Sequence, residues 1–226
     1  MRTGTTERFS GLRLMIILIA LPVFLSLTGC EQIFTYSPLT WAQRDPSNLS
    51  TSGKISYATS ALSSGDAETL KDAYNAIKDS DDPEVQYLAS KVAVGASGIN
   101  DAIETALSSL ASGADPSAIV VDDLVADMDV AYLRNAGDRL AEAELGGAEI
   151  SSEDYVTAAA ALILSHAAGT ANAETYLSGL EFSTLLSPAP TDYASAGSDE
   201  ERAAYLFSQS GYSATDMNDL LALVGG

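Results

Sequence analysis

The sequence predicts an all-α domain, and three observations carry that reading. Apolar residues recur at helical spacing: Ile99, Ala102, Ile103, Ala106, Leu107 and Leu110 fall on one face of a helix. Helix starts stand at Asp82-Pro83 and Asp115-Pro116, where a carboxylate accepts from first-turn amides and proline suits the first turn. Alanine dominates the composition and β-branched runs are few, which argues against an all-β fold.

The chain has 226 residues, enough for one domain with a real core or two small ones. With 11 Lys+Arg against 31 Asp+Glu it carries a net charge of −20. Phosphates would be repelled by that field, so no nucleic-acid partner is expected. A single Cys argues against a disulfide framework and a Cys-rich zinc site.

Residues 1–29 read as a leader. Arg2, Arg8 and Arg13 make a basic segment, and an apolar run follows from Leu14 to Leu27, interrupted by Pro22. The run is too short for a spanning helix and has the length of a signal-peptide core. It ends in Leu27-Thr28-Gly29-Cys30, which resembles the lipobox of bacterial lipoproteins. The resemblance implies cleavage before Cys30, diacylglycerol on its sulfur and often a further acyl chain such as palmitate on the new N-terminus. One acyl chain holds a membrane marginally, whereas two or three on one residue hold it stably. The expected location is the cell envelope, lipid-anchored to a bacterial membrane, with the domain in the periplasm or outside the cell. Glu31 does not decide which membrane. Without the three leader arginines the mature chain is more acidic still, and it should stand off an anionic surface.

Residues 30–52 read as an acylated, extended tether, with Pro38, Pro46, small polar residues and no sustained period. Its aromatics, Phe34, Tyr36 and Trp41, are expected to pack on the first helices; the sharper alternative is a sticky segment for a partner or the membrane interface.

The all-α domain should occupy 53–226. Helices are expected near 53–63, 66–79, 83–96, 99–111, 117–128, 130–145, 152–168, 171–180, 199–210 and 215–224. Asp66 starts the second, where Leu70, Ala73, Tyr74 and Ile77 form the apolar face. Ala136, Leu140 and Ala143 give the sixth its face. Ser198 with Glu201 and Ser213 with Asp216 have capping-box spacing. Gly146-Gly147, Gly169 and Gly211 follow periodic runs, where a left-handed cap is easiest for glycine.

Compared with itself, the chain repeats every 33 residues. Gly65 maps to Gly98, Leu70 to Ile103, Ala73 to Ala106, Tyr74 to Leu107, Ile77 to Leu110, Asp82 to Asp115 and Pro83 to Pro116. The unit is a helix, a glycine turn, a second helix and an Asp-Pro start. It covers about 55–145, and non-repeating helices follow over 150–226. This resembles a degenerate tetratricopeptide repeat. Gly65-Asp66 resembles that family's inter-helix turn, Tyr74 its second-helix aromatic and Pro83 its closing proline, although the first-helix Trp and Gly signature is missing. The resemblance implies antiparallel helix pairs stacked as a short solenoid, with extra C-terminal helices and a groove for peptides or proteins. First helices line the groove in such arrays, which points to Tyr57, Tyr87 and Gln86 as its lining.

Motifs for chemistry are sparse. No H-E-x-x-H, Walker loop, G-x-G-x-x-G or G-x-S-x-G is present, so no cofactor is expected. His166 sits in an apolar helix, AAAALILSHAAG, and reads as a core or groove residue before it reads as a catalyst. Asp79, Asp81, Asp82 and Glu84 crowd one junction, and Asp122, Asp123, Asp127 and Asp129 another. Neither has the ordered calcium loop, and both read as solvated acidic faces. The ten tyrosines are expected to pack between helices with hydroxyls at the rim. The functional expectation is an envelope lipoprotein with a protein-binding or assembly scaffold. The alternative is an accessory lipoprotein of a solute transport system, and an enzyme built on His166 ranks last.

Overall fold

The computed structural model describes residues 46–112, 120–187 and 189–213, without the side chains of Leu107, Leu110 and Phe182. The leader, Cys30, the tether up to residue 45, Asp115-Pro116 and the helix expected over 215–224 lie outside the described residues.

The protein is all-helical. The helices are α1 Thr51–Ser64, α2 Ala67–Ile77, α3 Pro83–Ala96, α4 Ile99–Ala111, α5 Val121–Ala126, α6 Val130–Leu145, α7 Ser152–Ala168, α8 Ala173–Ser178, α9 Phe182–Leu185 and α10 Asp199–Gln209. No strand occurs among the described residues. The tether expected over 30–52 ends early, because Pro46–Asn48 form a 3-10 turn against α2 and Ser50 caps α1. The helix expected over 117–128 is described only as the six residues of α5.

Local chemistry sets most boundaries. Asp66 accepts from Thr69 N (2.8 Å) at the start of α2, and Asp82 from Glu84 N (3.0 Å) and Val85 N (3.2 Å) ahead of Pro83. Asp129, Ser151, Asn172 and Ser198 cap α6, α7, α8 and α10 in the same way. Gly65 (φ 66°) and Gly98 (φ 84°) both take a positive φ, although Gly65 is itself the C-cap of α1 while Ser97, one residue before Gly98, is that of α3. Gly169 does not follow the expectation: it ends α7 at φ −84°, its N–H bonded to His166 O (3.0 Å).

Six helices, α1, α2, α3, α6, α7 and α10, carry most of the core. α1 and α2 form a hairpin, and α3 packs on both. A Cβ at Gly95 would lie 3.0 Å from Leu70 Cδ1, so glycine lets α3 approach α2 closely. The main partner of α3 is α6, not the sequence neighbour α4, which touches α3 little. This departs from the expected pairing of 83–96 with 99–111. Small side chains account for it: Ala89, Ser90 and Ala93 on α3 and Ala136 and Ala143 on α6 are all buried. At the closest approach Ser90 Oγ donates to the Ala136 carbonyl (2.6 Å). The two helices run antiparallel, since Gly146 at the end of α6 abuts Pro83 and Asp129 N donates to Ser97 O (2.8 Å) at the other end.

α7 packs antiparallel on α6, with Gly137 against Leu162, and α10 packs antiparallel on α7, with Ser165 Oγ donating to Asp199 (2.7 Å). α7 is the central helix: Ala158 to Ser165 are buried without interruption. The remaining helices are excursions. α4 and α5 lie between the end of α3 and the start of α6, and α8 and α9 between the end of α7 and the start of α10. The antiparallel order puts all four of these points at one end of the stack. The excursions meet there, since α5 packs on both α7 and α8.

Candidate functional site

The residues expected to line a groove separate in space. Tyr57 on α1 is half-buried, and burial followed by the charge of Asp72 raises its pKa. Tyr87 on α3 turns to α7, where its hydroxyl donates to Asp154. Lys91 Nζ lies 3.2 Å from Asp154 Oδ1 and donates to the Tyr87 oxygen (3.1 Å). Burial works against the Lys91 charge, but Tyr87 and Asp154 outweigh it and hold its pKa above the ordinary value. Ser151 Oγ also donates to Asp154 (2.7 Å), so the cluster fastens α3 to the first turn of α7. Gln86 is buried. Its amide donates to the carbonyls of Lys78 (3.1 Å) and Ser80, which closes the end of α2. Tyr57, Tyr87 and Gln86 therefore face three different surroundings. Cys30 lies outside the described residues.

Three residues of the acidic junctions act as caps, while Asp79, Asp81, Glu84, Asp123 and Asp127 are exposed. Asp82 and Asp129 cap their own helices, and Asp122 on α5 reaches across to α8, accepting from Ala173 N (2.6 Å) and Glu174 N (3.4 Å). One carboxylate thereby holds the two excursions together. Among the described residues no group of three or more His, Cys, Asp and Glu side chains converges as a metal site would require.

Tyrosine hydroxyls supplement scarce cations. Besides Tyr87 with Asp154, Tyr193 donates to Asp138 (2.9 Å), Tyr205 to Glu144 (3.2 Å) and Tyr176 to Glu200 (3.3 Å). Burial first, and then the neighbouring carboxylate, raises the pKa of Tyr155, Tyr176, Tyr193 and Tyr205, the last to about 12. With 31 acidic and 11 basic side chains the chain has few ammonium or guanidinium partners to offer, and a neutral phenol is the next donor.

His166 ends α7 with its ring 4.9 Å from that of Tyr176 on α8. Beyond Tyr176 opens a cleft of about 650 Å³ between α8–α9 and the start of α10. Tyr176, Leu180, Leu185, Pro190 and Ala204 give it apolar walls, and Glu181, Glu200 and Glu201 line it with carboxylates. Ser198 positions the α10 side by capping Glu201 N (3.1 Å), while Glu201 Oε2 accepts from Gly197 N (2.5 Å). The expected capping box forms with its return bond displaced by one residue. Sequence reasoning misses this cleft. α9 is a single turn without a period, and Glu181, Glu200 and Glu201 come together only through the excursion; the one readable signal is the Ser198–Glu201 spacing.

Compared with family models, curated proteins and solved structures, the chain matches none of them.

Proposed function

We propose that the chain is a lipid-anchored protein of the cell envelope whose helical domain binds a protein partner as a scaffold. The observation that carries the binding role is the arrangement of the two excursions. Both leave the same end of an alanine-packed stack and are clamped together by Asp122, and the second opens a cleft against the start of α10. Binding surfaces are commonly built on connections held by a rigid frame. The anchor rests on Leu27-Thr28-Gly29-Cys30.

The six core helices read as three antiparallel pairs, α1–α2, α3–α6 and α7–α10, with the excursions inserted into the second and third. Contacts of α3 with α1, and weaker ones with α7, support stacking of first helices upon one another, in the manner of tetratricopeptide arrays. The recognition surface then sits at the end bearing the inserts, away from the spread-out Tyr57, Tyr87 and Gln86. A cleft of small-ligand size favours a second reading, an accessory lipoprotein of a solute transport system.

Two experiments separate the parts. Expressed in a bacterium with the lipoprotein pathway, the protein should incorporate palmitate and enter the detergent phase, and Cys30→Ala should do neither. Labelling that persists in Cys30→Ala refutes the anchor. Crosslinking from the excursion end in envelope extracts should capture a specific protein that Asp122→Ala captures less well. Capture that is indifferent to both the position of the crosslinker and the variant refutes the scaffold.

A further inference from the structure

We propose that the cleft between α8–α9 and α10 binds a small organic cation: an ammonium or guanidinium group carried on an aliphatic chain. The inference rests on the reading of this domain as a binding module and names the chemistry the module recognises.

The cavity, about 650 Å³, has the volume of a small-molecule site. Its walls divide into two kinds. Leu180, Leu185, Pro190 and Ala204 are hydrocarbon that an alkyl chain would cover, while Glu181, Glu200 and Glu201 are carboxylates. No Lys, Arg or His lines it, and among the described residues none of these three carboxylates belongs to an ion pair.

Each carboxylate is engaged through one oxygen. Glu200 Oε1 accepts from Tyr176, Glu201 Oε2 from Gly197 N and Glu181 Oε2 from Thr184 Oγ1 (3.4 Å). A carboxylate offers about four lone-pair sites on two oxygens, so accepting capacity remains on all three. The bond from Tyr176 holds its ring at the cleft wall, and the His166 ring lies 4.9 Å from it. A phenol ring attracts a cation over its face, most strongly where water is partly excluded. An aromatic face, unpaired carboxylates and aliphatic walls together select an amphiphilic cation. A hydrated metal ion would gain nothing from the hydrocarbon, and an anion would be repelled. The net charge of −20 concentrates cations around the whole molecule, which aids capture and demands a control for it.

The ligand chemistry has two sources, a free amine or guanidine and the side chain of a partner protein. Calorimetry on the full-length lipidated protein in detergent tests both, with agmatine as the free probe and an end-blocked peptide with one central arginine as the other. Saturable one-site binding of either probe, weakened about tenfold by Glu200→Gln and by Glu181→Gln, supports the proposal. Asp101→Asn, on exposed α4 surface, should leave the affinity unchanged, and millimolar magnesium should compete poorly. Glu181 is exposed, so its variant keeps the fold and guards against an unfolded negative. Agmatine alone binding assigns a free ligand; the peptide competing with agmatine assigns a partner's side chain. The proposal is overturned by no saturable heat from either probe, by affinities equal in the parent and both Gln variants, or by magnesium displacing agmatine at equal charge. Agmatine binding that survives while partner capture fails would count against the scaffold reading alone.

Discussion

The stack and its excursions are held by different physics. In the stack, α3, α6, α7 and α10 meet through long buried faces of alanine, leucine and small polar residues, and one side chain after another is fully enclosed. In the excursions, α4 has 13 residues but touches α3 little, whereas α5, α8 and α9 have only six, six and four, and a cross-cap from Asp122 and a ring contact at Tyr176 fasten these short helices. Helices that short do not persist alone in water, so their order is borrowed from the frame. The stack therefore carries the stability, and the excursions, where the recognition surface is proposed, have low local stability.

The largest effect that separates the two regions should come from truncating a buried leucine. Leu162→Ala on α7 should lower stability by about 2–5 kcal/mol through lost transfer energy and a cavity, whereas Leu180→Ala at the half-buried cleft wall should cost less than about 1 kcal/mol. Urea denaturation measures both. Equal losses would erase the distinction.

Overpacking the same interface comes next. A Cβ at Gly137 would lie 2.6 Å from Leu162 Cδ1 and 2.8 Å from the Tyr193 hydroxyl. Gly137→Val should destabilise by about 1–3 kcal/mol, although leaving glycine favours helix. Adding Leu162→Ala should partly rescue it, and a double-mutant cycle shows whether the two residues share that space.

The tyrosine–carboxylate pairs give a pH signature. Below pH 10 the phenols are protonated in folded and unfolded chains alike, and their contribution is fully present. Above it the unfolded chain loses protons first, so stability falls as pH rises from 10 through about 12, where Tyr205 titrates in the folded protein. Tyr193→Phe should cost about 1 kcal/mol at neutral pH and flatten this alkaline decline, as read from thermal melts across the range. An unchanged slope would mean that burial and Asp138 do not hold the Tyr193 phenol protonated.

The smallest global effect belongs to the clamp. Asp122→Ala removes the acceptor for Ala173 N and should cost about 1 kcal/mol, confined to the excursion end. The melting temperature should scarcely move.

The stack was legible because helical period and caps are local. Leu70, Ala73, Tyr74 and Ile77 declared one face, all four are buried, and Asp66, Asp82 and Ser198 act as starts. Partner choice was not legible. Gly65 and Gly98, paired by the repeat, share a positive φ, yet α3 chose α6 over α4, because fit between alanine faces depends on neighbours far along the chain. Ile103, expected between helix pairs, is only partly buried for the same reason. Gln86 was expected to line the groove, and nothing nearby in sequence says that it closes the end of α2. The cleft required Glu181 and Glu200 to meet across an excursion, which no period encodes.

The central claim is that one rigid stack supports two coupled, weaker excursions, and amide hydrogen exchange in the native state tests it directly. Amides of α3, α6, α7 and α10 should exchange only through global unfolding, while those of α5 and α8 open together at lower free energy. Asp122→Ala should speed exchange in α5 and α8 and leave α7 unchanged. Protection of α8 equal to that of α7, or acceleration spread evenly over the stack in Asp122→Ala, would contradict the account.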